Sequence, residues 1–74
     1  MRYRYPFLTA EDAAWVADDC ARHVDAAGGA VDVQGTCLFV DLPTTVPPAM
    51  VGRLALFQHD QVLDDSGREV EAAA

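Results

Sequence analysis

The chain has 74 residues, a net charge of −7 and two cysteines. That length allows one domain burying only about 60% of the surface its unfolded form exposes, so a staple is expected. Two cysteines are too few for a disulfide framework, and the charge opposes direct nucleic-acid binding, which needs clustered positive potential. By elimination, self-association or a partner protein is the expected staple.

The opening RYRYPFL alternates Arg2, Tyr3, Arg4 and Tyr5, which predicts a half-buried strand with aromatics on one face. Pro6 cannot donate a ladder hydrogen bond and marks the strand's end or an edge. Thr9 then predicts a helix N-cap, with Asp12 at the third helical position in a weaker form of the capping box. Glu11 and Asp12 suit the positive end of the helix dipole. The helix is expected over residues 10–27, ending at Gly28-Gly29, because glycine accepts the left-handed conformation of a helix end.

AVDVQGTCLFVDL predicts two strands joined at Gln34-Gly35, with Asp32 facing Cys37 and Val31 facing Leu38. One sheet face then carries Val31, Val33, Leu38, Val40 and Leu42, and the other Asp32, Cys37, Phe39 and Asp41. In PTTVPPAMVGRLALFQHDQ, Pro47 and Pro48 suit a first helical turn, and Met50, Val51, Leu54 and Phe57 recur at helical spacing. Gly52 opposes a helix and RLALFQHDQVL also fits a strand, but a helix is the favoured expectation. VLDDSGREV predicts a short strand or hairpin around Asp64–Gly67. Residues 1–70 form the expected domain, and 71–74 a frayed tail.

The resulting order, β-α-β-β-α-β, predicts an α+β two-layer sandwich on the ferredoxin-like plan, an antiparallel sheet with both helices on one face. That plan serves many unrelated functions, so it carries no activity by itself.

Winding the first helix at about 100° per residue sorts its side chains. Ala13, Val16, Ala17, Cys20, Val24 and Ala27 share one arc, so Cys20 reads as core rather than as a metal ligand or nucleophile. His23 borders that arc, one turn from Asp19, with which it can pair. Cys37 and His59 are the remaining soft donors, yet the chain lacks the tight ligand pairs of structural zinc sites. No metal and no cofactor is expected.

Trp15 falls on the opposite arc with Glu11, Asp18, Asp19 and Arg22. An indole on an acidic outer face is either covered by another part of its own chain or serves as an interface anchor. Asp18 and Arg22 can form an i,i+4 pair beside it. The sheet's open face is the second candidate: the expected strand order brings Arg2 and Arg4 near Asp32 and Asp41, with Phe39 between them. That mixed surface is either a solvated face with cross-strand ion pairs or a two-fold contact.

Catalytic signatures are missing: there is no glycine-rich phosphate loop, no Gly-x-Ser-x-Gly and no His-Glu-x-x-His. No enzymatic activity is expected. The chain contains no lysine, isoleucine or asparagine, and aspartate outnumbers glutamate nine to three. That bias fits proteome-wide style, from a GC-rich genome or a salt-rich cytosol, better than it fits a device for a basic partner. With no secretory leader and no apolar run near about 18 residues, a cytoplasmic location and no membrane partner are expected. The expected function is an acidic, non-enzymatic adaptor or inhibitor, itself a homodimer, binding a partner protein through the Trp15 face, with a basic protein as one candidate. One version occupies the basic groove of a nucleic-acid-handling machine. The alternative is a regulatory domain that binds a small molecule at a dimer interface.

Overall fold

The structure is a computed structural model and describes residues 1–71. The expected tail falls largely outside them: Glu71 ends the last strand, and 72–74 lie outside the described residues. The chain is α+β, with one helix packed on one face of a five-stranded antiparallel sheet. In chain order the strands are β1 (Arg2–Pro6), β2 (Ala30–Gln34), β3 (Cys37–Asp41), β4 (Gln61–Leu63) and β5 (Glu69–Glu71). Across the sheet they run β2-β3-β1-β4-β5.

The helix α1 spans Ala10–Ala26. Its N-terminus forms as the residue pattern dictates, with the Thr9 hydroxyl accepting from the Asp12 amide at 3.1 Å. Its C-terminus unwinds through Ala27 into Gly28, whose φ is +88°. Gly29 then passes so close to β3 that a Cβ there would collide with the Asp41 carbonyl oxygen. Glycine is therefore needed to bring the chain from α1 into β2.

Two expectations are corrected. The β2–β3 turn sits at Gly35-Thr36 rather than Gln34-Gly35, pairing Gln34 with Cys37, Asp32 with Phe39 and Val31 with Val40. Gly35, at φ +62°, takes the first loop position. This moves each pairing by two residues, an even number, so every side chain stays on the expected face of the sheet.

The second correction concerns residues 47–60. In place of a second α-helix there are two short 3-10 turns, Pro48–Met50 and Gly52–Leu56. Val51 between them is extended (φ −112°, ψ 100°), and Gly52 has φ +47°. A left-handed residue cannot continue a right-handed helix, so the apolar spacing is realised in two separate turns. The four expected strands also become five, because VLDDSGREV closes as a β4–β5 hairpin with a bulge at Val62/Leu63.

The core lies between the sheet and these elements. It contains Tyr5, Val16, Ala17, Cys20, Val24, Leu38, Val40, Leu42, Val51 and Leu54. Across the layer, α1 lies over β2 and β3, and the second 3-10 turn packs beside α1, with Val51 and Leu54 in the core. Phe57 meets Phe7 edge-on at 5.6 Å, and His59 meets Tyr3 at 5.1 Å. The described residues contain no helix long and apolar enough to cross a membrane.

Candidate functional site

The outer face of α1 carries Glu11, Trp15, Asp18 and Arg22, all exposed, and the indole is 62% exposed. The opposite face buries Ala13, Val16, Ala17, Cys20 and Val24. Since the inner arc is fixed by burial against the sheet, residues half a turn away must face outward. The described residues leave Trp15 largely open to solvent.

Asp19, at the border of this face, is held by Arg53 from the second 3-10 turn at 3.6 Å. It takes that arginine rather than His23, whose ring lies against Gly52. Asp18 and Arg22 form no salt bridge in the structure, among the described residues, although helix spacing allows one. Glu11, Asp12, Asp18 and Asp25 likewise keep their charge unpaired among the described residues. An anionic surface thus surrounds the one tryptophan of the chain.

Further apolar side chains stand exposed that helical periodicity did not single out. Leu8, just before the N-cap, is 95% exposed, and Leu56 in the second 3-10 turn is 77% exposed. The second 3-10 turn meets α1 through Gly52 against His23 and Arg53 against Asp19. For Leu8, the available signal was its place between a strand's end and a cap, where nothing in sequence supplies cover.

The open sheet face is organised differently. Arg2 reaches Asp41 at 3.1 Å and Asp32 at 3.4 Å, with its guanidinium 4.5 Å above the centre of the Phe39 ring. Arg4 forms a two-pronged pair with Asp60, at 2.9 and 2.7 Å. Asp60 was not foreseen as a partner, since only the β1–β4 pairing brings it beside Arg4. The hydrogen bond from Arg4 holds the Asp60 carboxyl below the usual carboxylate range. Charges on this face are thus satisfied by one another, whereas most of those around Trp15 are not.

The thiols and hollows offer little chemistry. Cys20 is buried and donates weakly to the Ala17 carbonyl at 3.7 Å; burial pushes its pKa up, away from thiolate chemistry. Cys37 is half-buried on the other side of the sheet. The described residues contain no group of three or more His, Cys, Asp or Glu arranged to hold a metal ion. An open depression of about 400 Å³ is lined by Arg2, Asp41, Asp64, Asp65, Ser66 and Gly67. Its arginine is engaged by Asp41, and Asp64 is turned to its own loop, accepting from Ser66 and Arg68.

Against protein-family models, curated proteins and solved structures alike, the chain finds no match.

Proposed function

We propose that the protein is a small, acidic, non-enzymatic adaptor or inhibitor that binds a basic partner protein through the outer face of α1. The carrying observation is Trp15: a large aromatic, 62% exposed, among carboxylates of which all but Asp19 lack a cation partner among the described residues. Aromatic side chains of this kind anchor interfaces when a partner desolvates them. The surrounding acids speed encounter with a positively charged surface and reject acidic ones.

The partner that fits presents a shallow apolar pocket for the indole, rimmed by lysine or arginine. A groove that otherwise holds nucleic acid answers that description, and it makes the protein a competitor for phosphate-binding surfaces. The location in which this takes place is the cytoplasm. For the architecture, we infer a ferredoxin-like plan with its second helix reduced to 3-10 turns and a fifth strand appended. The support is that α1 links β1 to β2 while β3 lies between them.

The test is a comparison of Trp15→Ala and Asp18→Arg with the wild-type chain for capture of a common partner. Trp15→Ala is expected to lose that partner at least tenfold, and Asp18→Arg to weaken it in a salt-dependent way. Phe39→Ser, on the opposite side of the sheet, is expected to retain it. Undiminished capture by Trp15→Ala rejects the proposal.

A further inference from the structure

We propose that the free edge of β2 is the interface of a two-fold homodimer, in which two copies of the chain pair β2 with β2 antiparallel about Val33. This gives the self-association expected from chain length a location, and it does not depend on the Trp15 reading.

The sheet has two edges, and they differ in kind. At the β5 edge the strand is three residues long, carries a register shift against β4, and includes Glu69. Short length, a bulge and acidic side chains are the usual devices that keep an edge from pairing. The β2 edge is neither short nor bulged, and its single acid is compensated. It is five residues long, AVDVQ, with no proline, no bulge and no cation. Its one charge, Asp32, is already engaged by Arg2 at 3.4 Å and by the Gln34 side chain at 2.8 Å. On a chain of net charge −7, this is a locally compensated strip.

The backbone settles which groups the edge offers. Gln34 pairs with Cys37 across a two-residue turn, so this is a hydrogen-bonded pair, and hydrogen-bonded pairs alternate along an antiparallel ladder. Ala30, Asp32 and Gln34 therefore direct their amides and carbonyls toward β3. Val31 and Val33 direct theirs outward, where no strand lies among the described residues.

An antiparallel two-fold pairing can be centred on Val31, Asp32 or Val33. Centred on Val31, it sets each Asp32 against Ala30 of the partner subunit, which offers the carboxylate no side-chain donor. Centred on Asp32, it opposes the two Asp32 carboxylates directly, which is destabilising. Centred on Val33, the two Val33 residues exchange both backbone hydrogen bonds. Each Asp32 then faces Gln34 of the partner subunit, an acceptor opposite a donor. Val33 is 37% exposed in the single chain, and this register places two copies of it in contact on the helix side of the sheet.

A five-residue edge alone falls short of the roughly 800 Å² per partner found in stable interfaces. The additional surface is the flank of α1 beside β2. Its other flank, with Asp19 and His23, meets the second 3-10 turn, so the flank carrying Ala10, Ala14 and Ala21 overhangs the β2 edge. These short side chains allow two helices to approach across the paired strands.

The experiment is sedimentation velocity on the full chain at micromolar and millimolar concentrations, beside Val33→Pro and Val33→Lys. Proline at 33 removes an outward amide and no bond to β3; lysine leaves the backbone intact and adds an edge charge. Helical circular dichroism establishes that each variant is folded, and Val33→Lys decides the outcome if the proline variant unfolds. The wild-type chain is expected at twice its 8.0 kDa mass, with dissociation at least tenfold weaker in the wild type than in the folded variants. A wild-type monomer at millimolar concentration, or folded Val33→Lys that dimerises like the wild type, overturns the proposal.

Discussion

Gly52 stands against the ring of His23: a Cβ on residue 52 would approach the histidine Cδ2 to 2.8 Å. Together with its φ of +47°, this contact fixes how the 47–60 segment meets α1. It also sets up the salt bridge of the next residue, Arg53, with Asp19.

Replacement of Gly52 by alanine is therefore expected to destabilise the fold by about 1–3 kcal/mol, from left-handed backbone and the His23 contact together. The double variant Gly52→Ala/His23→Ala recovers only the steric part. Thermal unfolding of the three chains checks this. A neutral Gly52→Ala shows that the segment does not hold this conformation.

Tyr5 is 1% exposed, and its hydroxyl is buried without a hydrogen-bond partner among the described residues. Burial pushes its pKa up to about 12, so the phenol stays neutral through the ordinary pH range. An unmatched buried hydroxyl costs about 1–3 kcal/mol in lost hydration. Tyr5→Phe keeps the ring and removes that cost, and is expected to raise the unfolding temperature. A lowered one shows that the hydroxyl contributes a favourable bond.

Acid should weaken the fold in a specific window. The carboxyls of Asp60, bonded by Arg4, and of Asp64, bonded by Ser66, are both held below the usual range. A carboxyl with a depressed native pKa contributes its stability above the unfolded value of about 3.9, and loses it as pH falls through the native value. Unfolding temperature is therefore expected to be level near neutrality and to drop below about pH 4. Asp60→Asn and Asp64→Asn flatten that drop while lowering the neutral plateau. Both pairs are exposed, so each effect is small. An acid dependence equal to the wild type in both variants contradicts the assignment.

How far these features can be read from sequence depends on whether the determinant is local. The Thr9–Asp12 cap and the Gly28 stop are written within a few residues, and α1 forms where they place it. Sheet faces are equally legible, since alternation by two survived a misplaced turn: Gly35 occupies the first loop position, yet Leu38 and Val40 still face inward. Periodicity failed at residues 47–60 because Met50, Val51, Leu54 and Phe57 have helical spacing, whereas extended Val51 and left-handed Gly52 break the helix. Nothing in the spacing reports those dihedrals.

For the candidate surfaces, the helical wheel placed Trp15 outward among acids because α1 has one strongly apolar arc. What sequence could not supply were the long-range partners. Asp19 is claimed by Arg53 and Arg4 by Asp60, pairs separated by tens of residues and made adjacent only by the fold. The exposure of Leu8 and Leu56 belongs to the same class, since it depends on what fails to arrive.

The central claim rests on an indole that faces water until another protein meets it. Trp15 is the sole tryptophan, so its emission in the isolated chain reads this directly. The prediction is a red-shifted spectrum, freely quenched by acrylamide and iodide at low concentration, with Trp15→Ala as stable as the wild type within about 0.5 kcal/mol. Blue-shifted emission protected from both quenchers at every dilution would contradict it, because the side chain would then be covered by its own subunit.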